Sequence, residues 1–309
     1  MAHLRARPAG DDPREGLPRQ RGPPPRSGVT EIRPLRPDDV REGLRFCRAS
    51  GWNQREEDWR ALLALNPDGF VAADSDGRLV GTGGAIRYGD TLGWVCMILV
   101  DPESRGWGVG TRIMEEVLGR VAGLALVGLD ATPGGRPVYL KLGFRDARPL
   151  ARLETRVGTS LGDHARGARP LAAADLPAVL DWDRRAFGAD RAAVLRWLFG
   201  QAPEYAWCVE SGAGLAGYCL GRHGYNAEHV GPLVARGAET ARDLLTACLG
   251  PHAGRRFYLD APRDEPAWLA VLAGLGFAEQ RPFTRMYRGD GTAPGRPREV
   301  FAVVGPEFG

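Results

Sequence analysis

The chain echoes itself. Ile32-Arg33-Pro34-Leu35-Arg36-Pro37-Asp38-Asp39-Val40 returns as Arg169-Pro170-Leu171-Ala172-Ala173-Ala174-Asp175-Leu176, and Leu142-Gly143-Phe144 returns as Leu275-Gly276-Phe277. A divergent tandem repeat constrains the fold more than any local pattern, because both copies must build the same kind of unit and bury compatible faces. The 309 residues are enough for two compact domains at the usual size of roughly 100–200 residues each. The sequence divides into a tail over 1–28, a first copy over 29–157, a Gly- and Ala-rich linker over 158–168 and a second copy over 169–309.

The tail is rich in Pro, Gly and Arg and has no hydrophobic periodicity, so it buries too little to offset the entropy of ordering and is expected to be disordered. It contains no apolar stretch of the kind a secretory signal needs, and the chain contains none of the roughly 18 apolar residues of a membrane span. These features point to the cytoplasm and away from a membrane. The net charge of +3 is matched by the excess of arginine in the tail, and beyond it acids and arginines alternate, which argues against a nucleic-acid partner. Cys47, Cys96, Cys208, Cys219 and Cys248 are widely spaced and the histidines form no ligand-like pair, so neither a disulfide framework nor a metal site is expected.

In the first copy, Glu31–Leu35 reads as a strand, the stretch from Pro37 toward Leu65 as helical, and Phe70–Ala73 with Leu79–Thr82 as a hairpin. Gly93–Val100 is an apolar run suited to a strand buried on both faces. Val109, Ile113, Met114, Val117 and Val121 recur at helical spacing. A strand over Leu124–Leu129 and a short helix over Arg136–Leu142, ended by Gly143, complete the pattern. Between the buried strand and the amphipathic helix lies Arg105-Gly106-Trp107-Gly108-Val109-Gly110-Thr111. Glycines there let the backbone approach a ligand while N–H groups converge at a helix start, an arrangement that receives anions. A P-loop is excluded, since Lys141 is the only lysine and lies far from this loop. The spacing of Gly106, Gly108 and Gly110 does not fit a dinucleotide fingerprint.

Arg105-Gly106-Trp107-Gly108-Val109-Gly110 resembles the Gln/Arg-x-x-Gly-x-Gly/Ala signature of the GNAT superfamily of N-acetyltransferases. Leu99-Val100-Asp101-Pro102 before it and Tyr139-Leu140-Lys141-Leu142-Gly143-Phe144 after it stand where that family has them. The resemblance covers 31–157, and the whole chain resembles a two-domain GNAT type with a degenerate second copy; Gly51-Trp52-Asn53-Gln54, Leu129-Asp130-Ala131-Thr132-Pro133 and Phe283-Thr284-Arg285-Met286 look like that subgroup. It implies a mixed α/β fold, a central twisted, mostly antiparallel sheet flanked by helices, built twice in tandem. It implies acetyl-coenzyme A as co-substrate. Ile98, Leu99 and Val100 match the splayed strand that takes the pantetheine arm, and the N–H groups of Gly106, Trp107, Gly108, Val109, Gly110 and Thr111 match the pyrophosphate loop, with Arg105 shaping it.

Tyr139 matches the family tyrosine that protonates the leaving thiolate; packing against the Phe144 turn is its other reading. No carboxylate stands in Trp94-Val95-Cys96-Met97, where family members often carry a glutamate base. Asp130 is the nearest titratable candidate, with a structural turn role as its alternative, and Cys96 reads as packing. The second copy has Leu233-Val234-Ala235-Arg236-Gly237-Ala238-Glu239-Thr240 in place of the glycine loop and Leu272 in place of Tyr139, so it is not expected to catalyse by this route. The expected activity is acetylation of a small-molecule amine. A protein or peptide acceptor and a non-catalytic acyl-coenzyme A sensor are the competing functions, and the sequence leaves both the acceptor and any homo-oligomer undefined.

Overall fold

A computed structural model describes residues 31–158, 167–212 and 214–309. The tail expected over 1–28 and most of the linker expected over 158–168 lie outside the described residues. The first copy runs β1 (Glu31–Pro34), α1 (Val40–Ala49), α2 (Glu56–Leu65), β2 (Phe70–Ser75), β3 (Arg78–Tyr88), β4 (Leu92–Val100), α3 (Val109–Arg120), β5 (Leu126–Ala131), α4 (Arg136–Lys141) and β6 (Arg145–Arg156). The second runs β7 (Ala168–Pro170), α5 (Leu176–Phe187), α6 (Ala192–Gln201), β8 (Trp207–Ser211), β9 (Gly214–Arg222), β10 (Glu228–Ala235), α7 (Ala238–Leu249), β11 (Arg256–Pro262), α8 (Pro266–Gly274) and β12 (Ala278–Gly289), and adds β13 (Val300–Ala302). The order of elements repeats from copy to copy, as the sequence echoes require. No helix among the described residues is long and apolar enough to cross a membrane.

All strands join one mixed, mostly antiparallel sheet flanked by helices, in the order β1-β2-β3-β4-β5-β12-β6-β11-β10-β9-β8-β7, with β13 on β10. The last strand of each copy is exchanged. β12, from the second copy, pairs with β5 of the first from Thr284 opposite Ala131 to Gly289 opposite Leu126. β6, from the first copy, pairs with β11 of the second from Leu150 opposite Pro262 to Arg156 opposite Arg256. The two exchanged strands then pair with each other. The division at 157 and 169 therefore follows the chain but not the sheet, since neither copy completes its sheet without a strand from the other.

Packing reflects the same exchange. Ile113, Met114 and Val117 on α3 pack against Val95, Leu129 and the exchanged Met286, and Leu244, Leu245 and Trp268 on α7 and α8 pack against Leu259 and the exchanged Leu153. A further cluster is shared, joining Phe46, Trp59 and Trp94 of the first copy to Leu198, Tyr218 and Phe308 of the second. Asn53 fastens the α1–α2 loop across the halves: its Nδ2 donates to Ala227 O at 2.9 Å, and its Oδ1 accepts from the N–H groups of Asn226 and Ala227 at 2.8 and 3.1 Å.

Candidate active site

The site begins where β4 leaves β5. The two strands pair in parallel only at Leu92–Leu126, Gly93–Val127 and Trp94–Gly128. Beyond Trp94 they splay, and a bulge sets the splay: Gly84 faces Cys96 and Thr82 faces Leu99, so Met97 and Ile98 both oppose Gly83 on β3. Met97 takes φ 55°, a left-handed backbone that a residue with a Cβ adopts only under local constraint, and Thr82 Oγ1 donates to its carbonyl at 3.1 Å. The Met97–Ile98 peptide thus stands outside the regular β3 ladder at the mouth of the opening.

The glycine-rich segment lies at the end of the splayed strand. Gly106 and Gly108 take φ 84° and 81°, and Gly108 is the residue before α3. The first helical bond of α3 runs from Arg112 N–H to Gly108 O at 3.1 Å. The N–H groups of Val109, Gly110 and Thr111 in the first turn have no helical acceptor. Arg105 ties the loop down, its Nε donating to Val100 O at 3.1 Å and its Nη2 to Ser50 Oγ at 3.4 Å. A cleft of about 1080 Å³ joins these parts, lined by the splayed β4, the glycine loop, Asp130, Tyr139, Arg152, Arg281, Phe283 and Glu307. Of the residues singled out in the sequence, Ile98, Leu99, Val100, Arg105, Gly106, Gly108, Val109, Gly110, Thr111, Asp130 and Tyr139 line it, whereas Trp107 does not.

Tyr139 stands on α4, part-buried, with its ring edge-on to Phe144 at 6.0 Å. Both of its expected readings have a physical counterpart, because the ring packs on the Phe144 turn while the residue lines the cleft. Its hydroxyl makes no hydrogen bond to the described residues, and burial pushes its pKa up to about 12. Asp130 is different. Its two carboxylate oxygens accept from Nε and Nη2 of Arg285 on β12, both at 2.8 Å, and its side chain is 1% exposed. Burial raises its pKa and Arg285 opposes the rise. A carboxylate held at both oxygens by a guanidinium anchors the exchanged strand; as a base for an incoming amine it would first have to break that pair, so the base is not assigned to it. Cys96 is buried, which holds its thiol well above the ordinary value.

A carboxylate from the end of the second copy also reaches the cleft. After β13 the segment Val303–Gly309 passes behind β4, where Trp94 Nε1 donates to Pro306 O at 2.9 Å and Tyr88 OH to Phe308 O at 2.8 Å. Glu307 lines the cleft; its Oε1 accepts from Arg222 Nη2, and its Oε2 is buried without a hydrogen-bond partner. Arg222 also reaches Asp58 at 3.0 Å, whose carboxyl burial pushes up to about 6. Arg152, which also lines the cleft, forms a two-point pair with Asp260 at 2.8 and 2.7 Å. Sequence reasoning passed over Glu307. The available signal was a single acid in the otherwise uncharged stretch Val303-Val304-Gly305-Pro306-Glu307-Phe308-Gly309.

The second copy has the same splay but fills it. β10 pairs with β11 from Glu228 to Val230, its register with β9 shifts between Val230 and Leu233, and the freed Leu233 and Val234 pair with β13. A strand of the chain itself occupies the position that is open beside Ile98–Val100 in the first copy. Gly237, before α7, has an extended backbone rather than the left-handed turn of Gly108.

Residues 38–144 match a family model described as the acetyltransferase (GNAT) family, and residues 179–302 match one described as an acetyltransferase (GNAT) domain. Holothin acyltransferase of Pseudoalteromonas sp. (strain SANK 73390) is 25% identical over 262 residues, covering 84% of this chain and 88% of that protein. The uncharacterised N-acetyltransferase YitH of Bacillus subtilis (strain 168) is 24% identical over 253 residues, covering 81% and 88%. Among solved structures, a putative acetyltransferase from Pyrococcus horikoshii aligns with a TM-score of 0.77 at 21% identity, covering 91% of this chain and 96% of that one. A tandem GNAT protein from the clavulanic acid biosynthesis pathway aligns with a TM-score of 0.57 at 17% identity, covering 85% and 99%.

Proposed function

The chain belongs to the GNAT superfamily and is an acyltransferase of its tandem kind, and from that premise we propose that the first copy transfers an acetyl group from acetyl-coenzyme A to the primary amine of a small molecule. The observation that carries this reading is the open splay beside Ile98–Val100, continuous with the first turn of α3. The unpaired edge of Ile98–Val100 suits an extended amide-bearing arm laid alongside it as an added strand. The first-turn N–H groups of Val109 to Thr111, at the positive end of the helix, suit a pyrophosphate. When bound, acetyl-coenzyme A supplies the thioester whose carbonyl carbon an amine attacks.

The chain's own groups divide the proton work. Glu307, with Oε2 unpartnered, takes a proton from the incoming amine, the role first considered for Asp130. The Met97–Ile98 peptide polarises the carbonyl. Tyr139 keeps its proton at neutral pH, since burial raises the hydroxyl, and holds it for the departing sulfur. The acceptor side is walled by the exchanged strands and by the segment carrying Glu307, which favours a small molecule over an extended peptide. All five cysteines are free and buried, which supports a reducing compartment, the cytoplasm.

Release of free thiol from acetyl-coenzyme A, followed across a library of primary amines, tests the reading. Turnover should depend on an amine, and Tyr139→Phe should lower it by about 10²-fold while leaving cofactor affinity nearly unchanged. Tyr139→Phe activity within about twofold of the parent would remove the tyrosine from the chemistry, and the lack of any amine-dependent release would remove the function.

A further inference from the structure

The acceptor end of the cleft carries charges that acyl transfer alone does not require. Asp130 is paired with Arg285, Arg152 with Asp260, and Glu307 through Oε1 with Arg222. Arg281, on β12, is left over: it lines the cleft, its guanidinium stands 5.2 Å from the Phe283 ring, and it makes no hydrogen bond or ion pair with the described residues. Its Nε is buried without a partner. Burial and the neighbouring Arg152 lower its pKa to about 10, which leaves it charged at neutral pH.

Arg281 is part-buried and feels Asp260 and Glu307 only through space, with no hydrogen bond to either, so its planar fork is free to match a carboxylate at two points. The same cleft is lined by two residues with buried, unpartnered acceptors of the opposite kind, Glu307 Oε2 and Gln54 Oε1. A primary amine has protons to give to those oxygens; it has nothing to give to Arg281. We propose that the natural acceptor is a zwitterion, a primary amine that also bears a carboxylate, with Arg281 receiving the carboxylate and Glu307 and Gln54 receiving the amine. Two of the three recognition groups come from the second copy, Arg281 from the exchanged strand and Glu307 from the segment after β13, while Gln54 stands between α1 and α2 of the first. The role of that copy is thus to read the acceptor while its own splay is closed by β13.

This inference rests on the acetyltransferase reading. It is tested with matched probes, the common amino acids, their carboxamides and the corresponding decarboxylated amines, followed by thiol release with the full chain. The parent should favour an amino acid over its carboxamide by at least about tenfold in kcat/KM. Arg281→Met should raise KM for the amino acid by about tenfold or more with a smaller change in kcat, and bring the amino acid to carboxamide ratio within about twofold; Arg281→Lys should restore part of the preference. Should no amino acid turn over, calorimetric binding of the same amino acids to the parent and to Arg281→Met carries the test. Equal use of amino acids and carboxamides overturns the inference and leaves the transferase reading standing, as does a preference for phosphonate analogues. Absence of both turnover and binding for every amino acid also overturns it. Silence of every amine of any class overturns the transferase reading itself.

Discussion

Gly108→Val separates what the glycine loop does for the fold from what it does for the ligand. Gly108 has φ 81° and ψ −1° at the start of α3, and a Cβ built on it meets nothing within 4 Å. The substitution therefore introduces no clash inside the protein. It does force a β-branched residue into the left-handed region, at about 1–2 kcal/mol. A stability of about 5–15 kcal/mol absorbs that cost, so the variant should fold. Gly108 lines the cleft beside the first turn of α3, so the added side chain takes up open space at that site. If the pyrophosphate of acetyl-coenzyme A sits there, affinity should fall at least tenfold, about 1.4 kcal/mol. Gly123→Val is the control: its φ is 84°, its Cβ would also meet nothing within 4 Å, and it does not line the cleft. Thermal melting should show similar destabilisation of both variants, and calorimetry with acetyl-coenzyme A should show a loss of affinity for Gly108→Val only. Unchanged affinity in a folded Gly108→Val protein, or equal losses in both variants, would refute the assignment of the loop.

Arg285→Met removes the partner of a buried carboxylate on the exchanged strand and should cost about 3–5 kcal/mol in urea unfolding, partly recovered by adding Asp130→Asn; a loss of about 1 kcal/mol or less, as for an exposed pair, would show that the pair does not hold β12 to β5. His229 is fully buried, and desolvation holds its imidazole well below the ordinary 6.5. The unfolded chain then binds a proton that the folded chain refuses, so stability is full above 6.5 and is lost as pH falls below it. Between about pH 7.5 and pH 5.5 the parent should lose about 1 kcal/mol more than His229→Gln, and parallel pH profiles would contradict this.

The sequence was informative wherever local physics decides the structure. The spacing of Val109, Ile113, Met114 and Val117 demands a helix, the apolar run to Val100 demands a buried strand, and the glycines from Gly106 to Gly110 mark a loop at a helix start; the structure has all of these, with Gly106 and Gly108 left-handed. The exchange of β6 and β12 was not legible, because pairing β5 with β12 or with β6 satisfies the same apolar alternation and differs only in which copy donates the strand. Glu307 was hidden for a related reason. Its closeness to the cleft arises from β13 seating on β10 and from Trp94 and Tyr88 holding the segment after it, the latter two across more than two hundred residues of sequence. Asp130 was readable as a carboxylate beside the site, but its commitment to Arg285 depends on a cross-strand register that only the assembled sheet supplies.

The central claim is that one splay of the sheet is open to acetyl-coenzyme A and the other is closed by the chain itself. Titration of acetyl-coenzyme A into the full chain by isothermal calorimetry tests it directly. The first copy offers the free edge of Ile98–Val100 and the first turn of α3, whereas Leu233 and Val234 already pair with β13. Saturation at one molecule per chain is the predicted result. Saturation at two, or no saturable binding, would contradict the account.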